Sequence, residues 1–411
     1  MKFFYNILMQ ISEKFLMLFG NFFGNKIKLF VKGQKNIWKQ LQNCHFNRPI
    51  IWFHVSSLGE YEQALPLLEA IKEKNKYQIV LSFFSPSGYE IVKNKKNPAD
   101  CILYLAWDTR KNVKRFLDII NPTYVFFVKY DLWPNYLSEL KKRQIKTYLI
   151  SGIFTAHHQF FKPYNIWLKN TLKAFTHFFV QDENSKKILQ NQGFKNVSVT
   201  GDTRFDRVYQ IVQTPMVKPD FIRNFKDDKL LFVAGSTWQT GEELIADYLN
   251  NTTPDFKTVI APHNISRKHI KNLLSKGLKN YILYSEITPN TDLKKYNILI
   301  LNTIGLLNKV YRFSDWVYIG GGFGKSIHNI QEPAVFGNPI LTGPKIYKFK
   351  EAVDLEKAGG LVVIKGKTGF EEEMKLLATD EKIRKQRGRI VKQYVETNLG
   401  ATAKILNKLN L

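Results

Sequence analysis

The amino-acid sequence predicts an α/β protein built from two doubly wound domains. The chain has 411 residues, more than one ordinary hydrophobic core accommodates. Short, continuous apolar runs alternate with helical patterns, as they do where parallel strands are covered on both faces. The alternation occurs twice, on either side of a segment at 207–222 that contains Pro215 and Pro219 and lacks strong periodicity. We therefore predict two units joined by this linker and facing each other across a cleft, with ligands at the carboxyl ends of the strands.

Each strand is predicted from a short apolar run, and each helix from the longer stretch that separates two such runs. In the first half, the predicted strands are 50–55, 78–84, 101–105, 124–128, 146–150 and 176–180. The helices between them are 60–74, 87–95, 110–120, 134–143 and 183–192. In the second half, the predicted strands are 229–234, 257–261, 281–284, 297–301, 315–319, 339–341 and 361–364. The second set of helices is 240–250, 266–276, 305–312, 329–336, 349–358 and 380–409.

The first thirty residues form an apolar segment with one polar stripe. Arranged as a helix, the segment places Asn6, Gln10, Glu13 and Asn21 near this stripe. Glu13 and Lys14 interrupt the apolar run, so no uncharged stretch of about 18 residues is available to span a bilayer. No small-residue cleavage site follows, which argues against a removed signal peptide. We predict a helix lying in a membrane surface; a short single-pass anchor and a buried packing helix are the alternatives.

The charge of the chain favours anionic partners. Lys and Arg number 61 against 35 Asp and Glu, a net charge of +26, which suits nucleic acid, anionic membranes or phosphorylated substrates. A lysine-rich composition explains part of this excess. The sequence contains no RNA-binding motif and no basic stripe interleaved with aromatic residues, so we expect no nucleic-acid partner. The lysines that follow the apolar segment could meet lipid phosphates: Lys26, Lys28, Lys32 and Lys35.

Cysteine usage excludes two common classes of small protein. Cys44 and Cys101 are too few for a framework of several disulfides, and their number fits a reducing compartment. No cluster of cysteine and histidine has the spacing of a zinc site, and we expect no metal and no cofactor.

Glu60 is the first candidate for chemistry. It ends the stretch Ser56-Ser57-Leu58-Gly59-Glu60, which follows strand 50–55 on the predicted cleft side. Gly59 would let the backbone approach a ligand closely. A carboxylate at the start of a helix is stabilised as the anion, which suits removal of a proton from a hydroxyl group. An ordinary first-turn glutamate is the alternative, and the local pattern alone favours it.

Three further stretches of the first half follow predicted strands. Ser85 and Ser87 open a helix, where they either contact an acceptor or cap that helix. Lys129-Tyr130-Asp131 follows strand 124–128 directly and is a candidate substrate wall. Arg204 could reach an anionic leaving group, or it could pair with a neighbouring aspartate, Asp202 or Asp206.

The second half contains two stretches suited to an anion. Gly235-Ser236-Thr237 joins a strand to a helix and could cradle a phosphate or cap the helix. Gly320, Gly321, Gly322 and Gly324 fall within five positions, and their backbone N–H groups could meet an anion. The spacing fits neither a Walker loop nor the first turn of a dinucleotide-binding unit. Glu332, at the opening of the next helix, could accept hydrogen bonds from two ribose hydroxyls.

Five stretches, taken in order, resemble one known family. They are His54-Val55-Ser56-Ser57-Leu58-Gly59-Glu60, Leu132-Trp133-Pro134-Asn135, Val199-Thr200-Gly201 with Arg204-Phe205-Asp206, Gly235-Ser236-Thr237, and His328-Asn329-Ile330-Gln331-Glu332-Pro333. The combination resembles the 3-deoxy-D-manno-octulosonic acid (Kdo) transferases of lipopolysaccharide inner-core synthesis. The resemblance covers nearly the whole chain, and it is specific because the order of the motifs is kept.

The resemblance implies a GT-B fold of two Rossmann-like domains without a catalytic metal. It gives four segments: a membrane-associated helix at 1–30, an acceptor domain at 31–208, a CMP-Kdo-binding domain at 209–385, and a last helix at 386–411 that packs back on the first domain. It also implies that the protein acts at the cytoplasmic face of a bacterial inner membrane and binds the anionic surface of that membrane.

The family chemistry is inverting transfer of Kdo from CMP-Kdo to lipid A precursor (lipid IVA). The resemblance implies that Glu60 is the general base, although the local pattern alone favours an ordinary first-turn glutamate. It also implies that Arg204 stabilises the leaving phosphate, at a position where the family usually has lysine. The acceptor side would include Ser56, Ser57, Gly59, Ser85 and Ser87. The nucleotide-sugar side would include Gly235, Ser236, Thr237, Pro262, His263, Ile304, Gly305, Leu306, Gly321, Gly322, Asn329, Ile330, Gln331 and Glu332.

Two positions depart from the family pattern. The family commonly has Glu-Thr-Glu where this chain has Lys129-Tyr130-Asp131, so either the missing glutamate is dispensable or Asp131 substitutes for it. The family often has arginine after the proline at 262, where this chain has His263; Arg267 could compensate. The alternative function is a GT-B transferase that uses a UDP-sugar in envelope lipid or wall synthesis.

Overall fold

The protein divides into two compact units. The computed structural model describes residues 1–213 and 220–411, and the predicted linker prolines Pro215 and Pro219 lie outside these ranges. The first unit comprises residues 1–207 and 399–411, and the second comprises residues 208–398.

The first unit contains a seven-stranded parallel sheet. Its strands are β1 (Ile50–Val55), β2 (Gln78–Phe83), β3 (Cys101–Tyr104), β4 (Tyr124–Val128), β5 (Lys146–Gly152), β6 (His177–Val180) and β7 (Val197–Val199). The strand order is β3-β2-β1-β4-β5-β6-β7. The order reverses between β1 and β4, so the loops after these two strands lead to opposite faces of the sheet and leave a crevice at their carboxyl ends.

Helices surround this sheet. They are α1 (Lys2–Phe19), α2 (Asn25–Gln42), α3 (Leu58–Glu73), α4 (Pro86–Val92), α5 (Arg110–Ile120), α6 (Pro134–Lys142), α7 (Ile166–Thr171), α8 (Glu183–Asn191) and α9 (Thr203–Gln213). The strands β1, β2 and β4 are buried almost throughout, which explains why their sequences are continuously apolar rather than alternating.

The second unit repeats the plan. Its sheet is also parallel and seven-stranded, in the order β10-β11-β9-β8-β12-β13-β14. The strands are β8 (Leu230–Thr237), β9 (Phe256–Pro262), β10 (Tyr281–Leu283), β11 (Ile298–Ile300), β12 (Trp316–Ile319), β13 (Ile340–Thr342) and β14 (Leu361–Val363). The helices are α10 (Asp220–Lys226), α11 (Gln239–Asn251), α12 (Arg267–Leu274), α13 (Leu307–Tyr311), α14 (Gln331–Ala334), α15 (Lys350–Ala358), α16 (Lys367–Thr379) and α17 (Glu381–Thr397). The two parallel sheets confirm the predicted α/β class.

Several predicted elements require correction. The single helix expected at 380–409 is two helices, α17 and α18 (Ala401–Leu409), separated by Gly400 with φ 91°. Five helices, α2, α7, α9, α10 and α16, and the strand β7 were not predicted. Within the predicted linker, α9 continues to Gln213 and α10 begins at Asp220. The last helix belongs to the first unit, where the carboxylate of Asp206 accepts hydrogen bonds from the backbone N–H groups of Gly400 and Thr402, both at 2.7 Å.

Helix α1 is docked through its polar residues. Asn6 is buried, the Tyr5 hydroxyl donates to the carboxylate of Asp108 at 2.6 Å, and the Asn112 amide donates to Glu13 at 2.6 Å. The large apolar side chains of the helix remain exposed, among them Phe3, Phe4, Leu8, Ile11 and Leu18. This is the reverse of an ordinary amphipathic helix, whose apolar face covers the core. No helix in the described part of the chain is long and apolar enough to cross a bilayer.

The two cysteines are bonded to each other. Cys44 follows α2, and Cys101 begins β3. The bond fastens the end of α2 to the edge of the sheet. It also removes the argument for a reducing compartment that the sequence analysis drew from the cysteine count.

Helix α2 packs against β3 through a glycine. A Cβ built on Gly33 would lie 2.2 Å from two ring carbons of Tyr104, a side chain only 1% exposed. The helix can therefore lie this close to the strand only because position 33 has no side chain.

We expect Gly33→Ala to destabilise the protein. Overpacking costs about 1–3 kcal/mol, and a clash this close belongs at the upper end of that range. The gain in helix propensity, about 1 kcal/mol, offsets part of the cost. Gly369→Ala is the matched control, because Gly369 lies in α16 with nothing within 4 Å of a built Cβ. Urea unfolding should show a lower midpoint for Gly33→Ala and an unchanged or higher one for Gly369→Ala; an equal response would contradict the packing argument.

Candidate active site

Glu60 lies just after the carboxyl end of β1 (Ile50–Val55), an interior strand of the first sheet. It occupies the first turn of α3, whose N-cap is Ser57, and its backbone N–H donates to the Ser57 hydroxyl at 3.4 Å. The carboxylate turns back and accepts a hydrogen bond from the backbone N–H of Ser56. This resembles a capping box, in which a side chain three residues after the N-cap satisfies a free N–H at the helix start. The carboxylate is thereby held above the loop after β1 (Ile50–Val55).

Burial raises the pKa of Glu60. The hydrogen bond from Ser56 opposes this shift, the charge of Asp131 adds to it, and the charges of His54 and Lys129 oppose it. The sequence predicts that the helix start stabilises the Glu60 anion, but in the structure burial outweighs that effect. A carboxylate with a raised pKa is a stronger proton acceptor, which suits a general base.

A buried hydrogen-bond network connects β1 to the loop after β4 (Tyr124–Val128). One carboxylate oxygen of Asp131 lies 2.8 Å from Nε2 of His54 and accepts from the indole N–H of Trp133 at 3.1 Å. The other ring nitrogen of His54 lies 2.9 Å from the hydroxyl of Ser82. Ser82 also accepts from the indole N–H of Trp52 at 2.8 Å. The side chains of His54 and Ser82 are fully buried, so this network fixes the position of Asp131.

The Asp131 carboxyl is held as an anion. Burial alone would raise its pKa, but hydrogen bonds from His54, Ser56 and Trp133 and the charge of His54 together lower it. The carboxylate therefore already serves as acceptor for several protein donors.

Lys129 begins the same loop in a left-handed backbone conformation, with φ 57°. Its backbone N–H donates to the carbonyl of Ile150 at 3.0 Å, which keeps it next to the end of β5 (Lys146–Gly152). The charge of Lys129 acts on Glu60 and lowers its pKa. Lys129 thus places a positive charge near Glu60 at a position where the resembling family commonly has a glutamate.

Arg204 forms the ion pair that the sequence analysis left as an alternative. Its Nε and Nη2 atoms donate to one oxygen of Asp202, at 2.8 and 2.6 Å. Asp202 is buried and also accepts from the amide of Gln63 at 2.9 Å. The guanidinium is therefore fixed in direction by a buried carboxylate.

The loops after β1 and β2 are joined. The backbone N–H of Ser85 donates to the carbonyl of Ser56 at 2.9 Å, and the hydroxyls of Ser85 and Ser87 lie 2.7 Å apart. A Cβ at Gly59 would meet only the Ser57 hydroxyl, at 3.9 Å, so protein packing does not require a glycine there. The structure thus brings Ser56 and Ser85 together next to the start of α3, where Glu60 lies. It also leaves open space beside Gly59.

In the second unit, Gly235, Ser236 and Thr237 form the end of β8 (Leu230–Thr237) rather than a loop after it, and packing determines their conformation. A Cβ at Gly235 would lie 1.8 Å from the hydroxyl of Tyr311. The hydroxyl of Thr237 donates to buried Glu242 at 2.9 Å, and Glu242 also lies 2.9 Å from Nε2 of His269. Ser236 has φ 52°. Gly235 and Thr237, two of the three residues that this stretch was predicted to contribute to nucleotide-sugar binding, therefore have structural roles within the unit.

The glycine-rich loop follows β12 (Trp316–Ile319) and lies against this stretch. A Cβ at Gly320 would lie 2.1 Å from the carbonyl oxygen of Ser236, and one at Gly322 would lie 2.6 Å from the backbone of Gly343. Gly321 has φ 93°, which favours glycine. The glycines thus allow three loops to meet closely at the carboxyl edge of the second sheet.

The stretch predicted to bind ribose contains a buried amide. Gln331 is 1% exposed, and within the described ranges neither its amide oxygen nor its amide nitrogen has a hydrogen-bond partner. The amide of Asn329 donates to Glu332 at 3.2 Å, and Ile330 is buried. Buried polar groups almost always have partners, so Gln331 indicates a ligand or an ordered water at this position.

An aromatic cluster that the sequence analysis missed adjoins this stretch. His263, which follows Pro262 at the end of β9 (Phe256–Pro262), stacks on Trp238 with ring centroids 4.8 Å apart and on His328 at 4.4 Å. The indole N–H of Trp238 donates to Nε2 of His328 at 2.8 Å. Burial and the nearby His263 lower the pKa of His328 to about 4, so its ring is neutral and can accept this hydrogen bond.

The remaining predicted nucleotide residues lie in an exposed loop before α13 (Leu307–Tyr311). Ile304 is 88% exposed, Gly305 has φ 91°, and Leu306 is partly buried. Across residues 1–213 and 220–411, no group of three or more His, Cys, Asp and Glu side chains could hold a metal ion.

Comparison with known proteins identifies relatives along most of the chain. Residues 30–207 match the family described as 3-deoxy-D-manno-octulosonic-acid transferase (kdotransferase). The chain is 24% identical to a 3-deoxy-D-manno-octulosonic acid transferase of Haemophilus influenzae, covering 99% of this chain and 98% of that protein. It is 25% identical to the enzyme of that name in Aquifex aeolicus, covering 80% and 85%. A bifunctional glycosyltransferase/methyltransferase of Fusobacterium nucleatum is 26% identical over 99% of this chain, which spans only 63% of that longer protein.

Solved structures share the fold. UDP-GlcNAc 2-epimerase from Neisseria meningitidis aligns with a TM-score of 0.61 at 17% identity, covering 88% of this chain and 99% of that one. CalG4, the calicheamicin glycosyltransferase, aligns with a TM-score of 0.54 at 13% identity, covering 89% and 98%. At these identities the likeness supports the two-unit α/β fold and nothing about substrates.

The charges around Glu60 predict opposite effects on its pKa. We expect Lys129→Met to raise the pKa of Glu60 and Asp131→Asn to lower it, because the first removes a cation and the second an anion near the carboxyl. Carbon-13 NMR of the glutamate carboxyls, with Glu60→Gln to assign the resonance, measures both. Shifts of the same sign in the two variants would show that structural change rather than charge controls this pKa.

Proposed function

Since the chain is a glycosyltransferase related to the Kdo transferases, we propose that it transfers Kdo from CMP-Kdo to the lipid A precursor lipid IVA. The proposal includes inversion at the anomeric carbon and no catalytic metal. The support is the match of the first unit to the family and the relationship of nearly the whole chain to enzymes named for this transfer.

The position of Glu60 carries the proposal. A partly buried carboxylate with a raised pKa lies at the carboxyl end of β1, where the strand order reverses, and there is open space at the neighbouring Gly59. In the proposed step, Glu60 takes the proton of an acceptor hydroxyl while that oxygen forms a bond to the anomeric carbon of Kdo. The bond from this carbon to the phosphate oxygen breaks, and CMP leaves with the electron pair. General-base catalysis of this kind contributes about 10²–10⁴ in rate.

The neighbours of Glu60 have supporting roles. Asp131 raises the pKa of Glu60, and its own hydrogen bonds fix it in place, so we assign it a positioning role rather than proton transfer. Lys129 supplies a positive charge that could attract the phosphates of the acceptor. Arg204, oriented by Asp202, is proposed to stabilise the departing phosphate.

On the donor side, the residues around the buried amide of Gln331 are proposed to bind the nucleotide. Gln331 has unsatisfied hydrogen-bonding atoms, and Glu332 lies next to it at the start of α14 (Gln331–Ala334). The ring of His263 presents a flat face at the edge of this stretch. These groups could meet the ribose hydroxyls and the base of a cytidylate.

We also propose that α1 (Lys2–Phe19) lies in the surface of a membrane, at the cytoplasmic face of a bacterial inner membrane. Its exposed apolar side chains form a patch of the kind that soluble monomers rarely present to water. The predicted lysines of the following helix, Lys26, Lys28, Lys32 and Lys35, are all exposed and could meet anionic headgroups. A lipid acceptor would then be within reach of an enzyme that takes its donor from solution.

We expect Glu60→Gln to lower the rate of Kdo transfer by about 10²–10⁴, because the amide cannot accept the proton. The assay incubates purified protein with CMP-Kdo and lipid IVA and counts added sugars by mass spectrometry. Glu73→Gln is the matched control, because Glu73 lies exposed in the last turn of the same helix and should leave the rate unchanged. Transfer by Glu60→Gln at the wild-type rate would remove Glu60 as the base. Transfer from UDP-sugars but not from CMP-Kdo would replace the proposed donor.

We expect the triple variant Phe4→Ser, Leu8→Ser, Ile11→Ser to bind vesicles at least about tenfold more weakly, since each large apolar side chain contributes about 1.5–3 kcal/mol when buried. These side chains are 58–69% exposed. Flotation with phosphatidylglycerol vesicles measures the effect. Gln10→Ser, on the same helix, is the control and should bind as the wild type does. Undiminished flotation of the triple variant would mean that α1 is not the anchor.

A further inference from the structure

The segment that carries Arg204 is fastened to helix α3 by a single residue, Gln63. The side-chain amide of Gln63 donates to Oδ1 of Asp202 at 2.9 Å, and the backbone carbonyl of Gln63 accepts from the hydroxyl of Thr203 at 2.5 Å. Gln63 and Thr203 are fully buried, and Asp202 is 6% exposed. Both contacts therefore tie α3 to the start of α9, away from water.

Asp202 uses its two carboxylate oxygens for different partners. Oδ1 accepts from the Gln63 amide and from the backbone N–H of Arg204 at 3.0 Å, whereas Oδ2 accepts from Nε and Nη2 of the Arg204 guanidinium. Burial alone would raise the pKa of Asp202, but the charge of Arg204 and the hydrogen bonds from Arg204 and Gln63 lower it. The carboxylate is therefore a buried anion that Gln63 holds at one oxygen and that directs the guanidinium with the other.

A chain of hydroxyl groups holds the backbone of Gln63 in place. Because the Thr203 hydroxyl gives its proton to the carbonyl of Gln63, the Ser151 hydroxyl, 2.8 Å away, must donate to Thr203. Ser151 is fully buried at the end of β5 and has φ 50°, a backbone conformation that is unfavourable for residues other than glycine. Such a conformation persists where its surroundings hold it, and they are typical of functional sites.

The side chain of Gln63 is explained by Asp202 and not by core packing. Its amide oxygen is buried and has no hydrogen-bond partner within residues 1–213 and 220–411, so the donation to Asp202 is the one hydrogen bond that the side chain makes there. An apolar side chain of the same length would fill this space without leaving a buried polar atom unpaired. The contact with Asp202 is thus what a glutamine provides at this position.

Helix α3 also connects this contact to Glu60. Glu60 and Gln63 are three positions apart in the helix, so they lie on the same side of it, about one turn from each other. The candidate base and the residue that holds Asp202 therefore belong to one rigid element of the first unit.

We propose that Gln63 is a positioning residue for the transfer: acting through Asp202, it keeps the guanidinium of Arg204 directed at the leaving phosphate. The inference rests on the proposed function, which assigns Arg204 to that phosphate, and it adds the residue that sets the direction. Charge on the phosphate develops as its bond to the sugar breaks, so a misdirected guanidinium lowers kcat more than it weakens donor binding.

A double-mutant cycle between Gln63 and Arg204 tests the inference, with Kdo transfer from CMP-Kdo to lipid IVA by the full chain as the assay. We expect Gln63→Met, which keeps the side-chain length but cannot donate, to lower kcat about tenfold and to leave the KM for CMP-Kdo within about twofold. Arg204→Met should lower kcat about 10²-fold. In the Arg204→Met background, Gln63→Met should have no further effect, because the group through which Gln63 acts is gone. Gln63→Asn, whose amide is one methylene shorter, should give the same pattern.

Gln34→Met is the matched control. Gln34 is also a buried amide of the first unit, and it donates to the carbonyl of Leu105 at 2.7 Å. Its replacement should lower the midpoint of urea unfolding at least as much as Gln63→Met does, and leave kcat unchanged. The acid limb of kcat/KM against pH, which reports the pKa of Glu60, should be the same in Gln63→Met and the wild type, since α3 stays in place.

The other outcomes overturn the inference. An equal loss of kcat from Gln63→Met in the wild-type and Arg204→Met backgrounds would show that Gln63 supports the fold and not Arg204, as would failure of both Gln63 variants to fold. An unchanged kcat in Gln63→Met, with Arg204→Met slow, would contradict this inference alone. A wild-type protein that transfers no Kdo would contradict the proposed function itself, and a wild-type kcat in Arg204→Met would remove the role of Arg204 on which the inference rests.

Discussion

The hydrogen bond between His54 and Asp131 is the contact on which the site of the first unit depends. At the point where the strand order reverses, the loops after β1 and β4 separate, and a side-chain hydrogen bond connects them. His54 is the last inward-facing polar residue of β1, and it reaches Asp131 across this gap at 2.8 Å. The connection fixes the loop that carries Lys129 beside the carboxyl of Glu60. The hydrogen bonds of Lys129 to Ile150 and of Trp133 to Asp131 hold the same loop from its other side.

The energetics of this arrangement are set by burial more than by any single charge. Glu60 and Asp131 are both partly withdrawn from water, yet their pKa values shift in opposite directions. The difference lies in hydrogen bonding: several protein donors stabilise the Asp131 anion, while Glu60 accepts one from a backbone N–H. Two neighbouring carboxyls with opposite shifts are typical of a site in which one group holds charge and the other exchanges protons.

Much of the fold was predictable, because buried parallel strands are continuous apolar runs. Thirteen of the fourteen β-strands in the described part of the chain correspond to predicted ones despite small differences at their ends. Helix α2 was missed although Phe30, Gly33, Ile37 and Leu41 repeat at helical spacing, since the lysines between them suggested only a basic surface. Glu60 was predictable from the motif order. Its raised pKa was not, because burial depends on residues distant in sequence. The contact between Trp238 and His328 was not predicted, because it joins positions ninety residues apart.

The net positive charge of the chain indicates a function only where particular cations lie beside other unusual features of the surface. Exposed lysines are numerous enough that composition alone could explain them, and most need no function. The lysines of α2 differ because they follow a helix whose apolar side faces water. There, positive charge adjoins exposed apolar surface, and an amphiphilic anion such as a lipid satisfies both features where a simple counter-ion satisfies only one.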